Sequence, residues 1–451
     1  MRLVLFIFLF SVQCYSLEQI QLLKAKQLIR NEIINHSLNS DTNKSAPLSN
    51  DRVEDLIPFQ KITKNIYQIE EMSLTKGKVL NQPWSDDYWP IYKGILGNRY
   101  ADLGFQNTFD WKESQNYVIL NPVSRYTKSN IEFLSPSERF DLLLSDNKFS
   151  LTKSMWAQGE KYFNANGSVE RWMGICHGWA AASFMVKRPQ KKITVKSFDG
   201  KLDIPFYPSD IKALASLLWA SSRFETLFVG GRCRSKFPEL DDNDRPLSKD
   251  CLDNNPSTFH LALINRVGKQ KKSFIMDATF DYEVWNQPVV SYSFEYFNPQ
   301  TEKVGSLESS ILNKKDFRKD KFENSRSSDA KFILGINLTV NYGVETSPQQ
   351  LEFDNESHDQ LSSANYQYDL EIDNNGKIIG GEWHTEEHPD FLWLPSSKAK
   401  AITSYDYYLL DKEKWNGKKN LDKNIKSLAQ KAAVKGKPLA FIVNSLIELA
   451  Q

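Results

Sequence analysis

Gly174-Ile175-Cys176-His177-Gly178-Trp179-Ala180-Ala181-Ala182-Ser183-Phe184-Met185 is a run of small and apolar residues with no acidic or basic side chain other than a histidine. Small side chains at this density suit a helix that packs closely on its neighbours, and the cysteine falls in its first turn. The free N–H groups and dipole at a helix start favour the thiolate, which is the nucleophilic form of cysteine. The same N–H groups can stabilise an oxyanion forming beside the sulfur, so Cys176 is the candidate nucleophile. Gly174 and Gly178 flank it and let backbone and substrate come near.

A thiol nucleophile needs a base, and the base needs an orienting partner. Residues Phe259 to Val267 alternate as a strand, Gly268 to Lys272 form a charged turn, and Ser273 to Met276 start the next strand. The pattern predicts a hairpin with His260 on one arm and Asp277 on the other, near enough across the ladder to act as base and orienter. His177 is a rival base, but adjacent residues on a helix point about 100° apart. Asp281, His384 and His388 compete for the same roles. His384 and His388 are spaced i, i+4, yet no cysteine or third ligand accompanies them, so no zinc site is read. Asp241-Asp242-Asn243-Asp244 lacks the spacing of a calcium loop and reads as a solvated acidic turn.

Around this centre the elements segregate. Ser135-Pro136-Ser137-Glu138 caps a helix over Arg139 to Leu144, and Ser209-Asp210 caps a second over Ile211 to Phe224. Strands follow at Ser291 to Phe297, Phe332 to Tyr342 and Gln367 to Ile372, the last turning at Asn374-Asn375-Gly376 into Lys377 to Ile379. Helices first and an antiparallel sheet afterwards predict an α+β fold. Asn81 to Gly104 is dense in Trp, Tyr and Pro and reads as a surface-hugging segment of aromatic anchors. Phe353 to Asn365 reads as a polar loop, and Lys418 to Lys437 as a solvated, Lys-rich helical face.

The 451 residues carry 57 Lys+Arg against 56 Asp+Glu, a net charge of +1 that argues against nucleic acid as a partner. With 40% hydrophobic residues, 12% aromatics and eleven Trp, the chain is no disordered polymer. The apolar run Leu3 to Phe10 after Arg2, with small residues near Ser16, predicts a secretory signal over residues 1–16 and a secreted or periplasmic, cell-envelope location. That run is too short to span a bilayer. Of the other cysteines, Cys233 and Cys251 bracket a polar segment and predict a disulfide, which leaves Cys176 unpaired. The division expected is a helical arm and linker at 17–82, a candidate pro-segment, then a catalytic domain at 83–395 and a Lys-rich extension at 396–451.

Four stretches together resemble the transglutaminase elicitor family, oomycete cell-wall transglutaminases and their bacterial relatives. They are Trp172-Met173-Gly174-Ile175-Cys176-His177-Gly178-Trp179-Ala180, Thr258-Phe259-His260-Leu261-Ala262-Leu263-Ile264-Asn265, Phe274-Ile275-Met276-Asp277-Ala278-Thr279 and Val284-Trp285-Asn286-Gln287-Pro288-Val289. The resemblance extends from about Pro83 to Pro395. It implies a papain-like or transglutaminase-like core with the catalytic order Cys176, His260, Asp277. The implied reaction is acyl transfer: the thiol attacks a protein glutamine, ammonia leaves, and the thioester passes to a lysine amine. Protein or peptide substrates bearing Gln and Lys are the implied partners. No organic cofactor or metal is implied, and calcium dependence is not readable from these residues. Trp172, Trp179 and Trp285 are expected to line the substrate site and exclude water. The Trp285-Asn286-Gln287-Pro288-Val289 segment looks like the surface peptide by which plants recognise oomycete members, although Val290-Ser291-Tyr292 departs from it. Two alternatives stay open: a thiol peptidase, amidase or deamidase with the same triad, and a secreted binding protein with an idle site.

Overall fold

The computed structural model describes residues 47–451 apart from 49, 59–60, 106–107, 127–128, 233–234, 236–238, 242–244, 249–250, 252–253, 280–281, 386 and 419. The expected signal, half of the expected arm, Asp281, Cys233 and residues 242–244 of the acidic turn lie outside the described residues.

Helices α1 (Val53–Leu56) and α2 (Ile66–Glu71) precede strand β1 (Lys76–Lys78), and α3 (Trp111–Leu120) follows the aromatic segment. Next come α4 (Pro136–Leu143), α5 (Ser150–Asn166), α6 (Cys176–Met185), β2 (Ile193–Lys196), β3 (Asp203–Phe206), α7 (Pro208–Ser221) and β4 (Thr226–Gly230). Then come α8 (Pro256–Ala262), β5 (Ile275–Asp277), β6 (Asn286–Phe297), β7 (Val304–Gly305), α9 (Leu307–Ser310) and β8 (Leu312–Asn313). The chain ends with β9 (Phe332–Val344), β10 (Gln360–Ile372), β11 (Ile378–Trp383), β12 (Phe391–Pro395), α10 (Lys423–Val434) and α11 (Ala440–Leu449).

The main sheet is ten-stranded, ordered β11-β10-β9-β6-β5-β12-β4, with β1 and β7 added on β6 and β8 on β9. Its pairings are antiparallel. One hydrophobic core lies among the helices and takes in Trp89, Trp179, Leu214 and Ile442; the other lies against the sheet and takes in Phe259, Ile264, Val289 and Tyr368. Mixed helix with an antiparallel sheet agrees with the α+β expectation.

Helix α4 begins as its sequence predicts. The Ser135 hydroxyl accepts from the Glu138 N–H at 3.2 Å, and the Glu138 carboxylate accepts from the Ser135 N–H at 2.9 Å. Helix α7 starts earlier than expected, at Pro208, because Asp210 reaches back to the Tyr207 N–H at 2.7 Å and so occupies the third helical turn position rather than the cap.

The predicted hairpin around His260 is not formed. Asn255 caps a helix instead, its side chain accepting from the Ser257 N–H at 3.0 Å, and Pro256 presets the first turn. Helix α8 then runs into a π-helical stretch, Leu263–Lys269. Phe259, Leu261, Ala262, Leu263, Ile264 and Val267 are all buried, so the segment is apolar on every face and its apparent alternation carried no information about type. The aromatic segment also sits deeper than expected: Trp84 and Trp89 are among the largest fully buried side chains. The stretch expected as a polar loop from 353 supplies the first half of β10 from Gln360 onward, paired residue for residue with β9. The expected C-terminal extension contributes Ile425, Leu428, Ile442 and Leu446 to the helical core, and residues 53–79 contribute Val53, Leu56, Ile66 and Ile69 to the sheet core.

Candidate active site

Cys176 is the first residue of α6, where the helix's leading N–H groups have no partner inside the helix. The lead-in is clamped by the aromatic segment: Ile175 N–H donates to the Tyr88 carbonyl at 2.8 Å, and Ile91 N–H to the Met173 carbonyl at 2.9 Å. Gly174 has to be glycine, since a Cβ there would lie 2.5 Å from the Tyr88 carbonyl oxygen. Gly178 likewise lets α6 close on α7, where a Cβ would stand 2.3 Å from the Ser216 carbonyl oxygen.

The thiol faces the sheet where β5 and β6 meet. Its Sγ donates to the Val284 carbonyl at 3.7 Å and receives the Asn286 side-chain amide at 3.5 Å. Trp393 fixes that amide, its indole N–H donating to the Asn286 Oδ1 at 2.7 Å. Asn286 is the ladder partner of Asp277, so the carboxylate sits one strand from the sulfur. Asp277 Oδ1 accepts from the Trp285 N–H at 2.9 Å and from the Thr279 hydroxyl at 3.3 Å, while Oδ2 is buried without a hydrogen-bond partner. Glu345, one residue past β9, is held by the Gln287 amide at 3.1 Å to each carboxylate oxygen.

Electrostatics here are set by burial. Burial pushes the Cys176 thiol up to about 11 against the help of two Asn286 donors, and the Glu345 and Asp277 charges add to the rise. Burial also lifts Asp277 to about 7, opposed by the Trp285 and Thr279 hydrogen bonds and the Arg232 charge. Glu345 rises for the same reason, opposed by Gln287. At neutral pH the thiol is protonated, its hydrogen on Val284, and the carboxyl beside it is poised to change charge.

His260 is placed elsewhere. Its Nδ1 is bonded to the Tyr368 hydroxyl at 2.8 Å, its Nε2 is buried with no hydrogen-bond partner, and its ring packs on Phe294 with centroids 4.8 Å apart. Neither nitrogen bonds Asp277 or Cys176. Burial drops the imidazole to about 3. The expected hydrogen-bonded relay from His260 to Asp277 is therefore absent, because a helix and not a facing strand carries the histidine.

Two of the three expected tryptophans pack on tyrosines. Trp285 lies 5.5 Å from Tyr88, and Trp172 packs edge-on against Tyr282 at 6.1 Å. Trp179 instead is 0% exposed and donates to the Trp84 carbonyl at 3.1 Å, so it packs the core and does not face a substrate. Asn286, Gln287, Pro288 and Val289 are buried between β5 and β9, so the segment expected at the surface is an internal strand. His177 is exposed. His384 pairs with Asp369 at 2.7 Å and His388 stacks on Trp383 at 5.0 Å, both away from the thiol. Among the described residues no cluster of three or more His, Cys, Asp or Glu side chains could hold a metal ion, and no helix is long and apolar enough to cross a membrane. Cys176 is a free thiol; Cys251 is buried, and its expected partner Cys233 lies outside the described residues.

Sequence reasoning quoted Asn286 within its motif but gave it no role, and it missed Trp393 and Glu345. Nothing local marks these two, since the sheet brings them in from more than fifty residues away.

No curated protein matches the chain. The crystal structure of the GP42 transglutaminase from Phytophthora sojae is similar in fold, with a TM-score of 0.52 at 21% identity over 76% of this chain and 90% of that one. The family model for the transglutaminase elicitor matches residues 59–411, a span that holds the thiol helix, the Asp277 and Asn286 ladder and Glu345 alike. By that match over most of its length, the chain belongs to the transglutaminase elicitor family.

Proposed function

We propose that the protein is a secreted protein-glutamine γ-glutamyltransferase in which Cys176 forms a thioester with a glutamine side chain and passes the acyl group to an amine. The observation that carries this reading is a free thiol in the first turn of α6, bonded by the Asn286 amide and one strand from the buried Asp277 carboxyl. As the sulfur attacks the carboxamide carbon, its proton passes to the Asp277 carboxylate; the Asn286 amide and the leading N–H groups of α6 receive the developing oxyanion. Ammonia leaves with a proton, and an amine then displaces the thiol. The expected base His260 would need to leave Tyr368 to reach this centre, and the arrangement favours Asp277 in its place. Export by the signal at 1–16 and a Cys233–Cys251 bridge complete the proposal, with Trp172 and Trp285 holding substrate; release of the arm as a pro-segment could extend no further than the residues before Val53, since 53–79 belong to the sheet core.

The test is incorporation of a fluorescent primary amine into a glutamine-bearing protein. Cys176→Ala should abolish it, Asp277→Asn should reduce it by about a hundredfold or more, and His260→Gln should reduce it less than about tenfold. A large loss in His260→Gln with folding intact would restore the histidine as base. A second reading, a binding protein with an idle site, has one observation on its side: Cys176 is only 5% exposed. Absence of any thiol-dependent product would decide for it, and ammonia release without incorporation would mark a hydrolase.

A further inference from the structure

Glu345 lines a cavity and is bonded to Gln287, the residue that follows the thiol's partner Asn286. Its charge reaches Cys176, and its side chain lines a polar cavity of about 490 Å³ together with Asp86, Lys212, Asp354 and Asp359. The charges in that cavity are unequally matched. Asp354 takes Lys212 at 2.7 Å and Arg188 at 3.3 Å, and Asp359 takes Arg188 at 2.6 Å. Asp86 is 1% exposed, accepts the Trp89 indole N–H at 3.0 Å, and is raised well above the carboxylate range by burial. Glu345 is partly buried and is bonded by a neutral amide, with no ion pair to any described cation. Beside it the Gln287 Oε1, on a residue 4% exposed, is buried with no hydrogen-bond partner. A carboxylate without an ion pair on the cavity wall, and an acceptor without a donor beside it, specify a small cation that carries several N–H groups.

Resting on the acyl-transfer reading above, we propose that this cavity is the acyl-acceptor site, entered by a primary alkylammonium, and that Glu345 binds it and takes its proton. The step balances without a further reactant. The R–NH3+ group gives one proton to the Glu345 carboxylate and becomes a neutral amine. Its lone pair attacks the thioester carbon, the new C–N bond forms, and the C–S bond breaks with its electrons on sulfur. A second proton from nitrogen goes to the thiolate, leaving the amide product and the free thiol, and Glu345 releases its proton to water. Burial that raises Glu345 suits a group that must accept this proton and let it go. The cavity entrance also sets the acceptor apart from the glutamine, which approaches on the side of Trp172 and Trp285.

The experiment uses the full mature chain, a glutamine peptide as donor, and three acceptors: dansylcadaverine, a lysine peptide, and hydroxylamine, which is mainly uncharged at pH 7.5. The readout is acceptor incorporated per ammonia released. In Glu345→Gln the ratio should fall at least tenfold for the two ammonium acceptors, through a raised KM, and stay within twofold for hydroxylamine. Gln349→Lys, an exposed change on the cavity lining, should raise the KM of the ammonium acceptors by several-fold and serves if Glu345→Gln fails to fold. A response to dansylcadaverine without one to the lysine peptide assigns the site to free amines; the converse assigns it to protein lysine. Equal loss for all three acceptors, or unchanged KM in both variants, overturns the proposal. If the unaltered protein releases no thiol-dependent ammonia at all, the acyl-transfer reading itself fails, and the acceptor site fails with it.

Discussion

Asn286 does two things to the sulfur of Cys176 that separate on measurement. It donates to Sγ, which favours the thiolate, and in the proposed reaction it would donate to the oxyanion as well. Asn286→Ala should therefore slow amine incorporation by roughly a hundredfold or more, the usual effect of losing one preorganised donor. It should also move iodoacetamide alkylation of Cys176 to still higher pH, since a donor to the charged form is lost. Alkylation of the unaltered protein should itself keep rising with pH through 9, because the thiol is pushed up to about 11. A plateau near pH 7 would show that the ionised thiol is the resting form. Asp277 gives the companion prediction for stability. Its folded pKa, about 7, is raised above the ordinary 3.8, so its contribution is fully present below pH 4 and is lost as pH climbs through 7. In Asp277→Asn the amide keeps the Trp285 and Thr279 hydrogen bonds and carries no charge to bury. Urea unfolding should thus find the variant more stable than the parent by about 2 to 4 kcal/mol at pH 8, and nearly equal to it at pH 4. Stability gained where activity is lost is what a carboxyl kept for chemistry should show.

Helix α6 illustrates why some elements were readable before any coordinates. Its small residues announce close packing, and the contact with α7 requires it. Gly178→Ala would set a Cβ against backbone at Ser216, which cannot swing aside as a side-chain tip could. The cost should be about 2 to 3 kcal/mol in chemical denaturation, with a loss of incorporation as the thiol end of the helix shifts. Helix α4 was legible for a related reason, since Ser135, Pro136 and Glu138 act within one turn of themselves, whereas α7 was found but its start was placed three residues late, at Ile211 rather than Pro208. Helix α8 was misread although Asn255 and Pro256 announce its start, because a segment buried on all sides shows no period. The first half of β10 was missed for the opposite reason: Gln360, Leu361, Ser363 and Asn365 lie on the sheet surface or between it and solvent, and a polar strand looks like a loop until its partner β9 is known. Of the candidate site, Cys176 at a helix start and Asp277 on a strand were legible from type and position. The role of Asn286 and the involvement of Glu345 and Trp393 depend on strand pairing, which no local pattern records.

At the scale of the whole molecule, the terminal segments decide whether the site can exist apart from them. The Lys-rich surface of residues 418–437 suggests an appendage, yet Lys423, Lys426, Lys431 and Lys435 cover one face of a helix whose other face is Ile425, Leu428, Ala429, Ala432 and Ala433. That face packs against α5, and α11 packs against α7, the helix on which α6 rests. Fully buried leucine and isoleucine side chains each contribute about 1.5 to 3 kcal/mol. Ile425, Leu428, Ile442, Val443, Leu446 and Ile447 together therefore exceed about 9 kcal/mol, comparable with the 5 to 15 kcal/mol by which a whole domain is stable. A chain ended after Pro395 should lose cooperative thermal unfolding and near-ultraviolet circular dichroism, expose the α7 surface to dye, and show no thiol-dependent product. A truncated chain that unfolds sharply and still incorporates amine would mean that the thiol helix is held from the sheet side alone, through Tyr88 and Asn286, and that the helical layer behind it is replaceable.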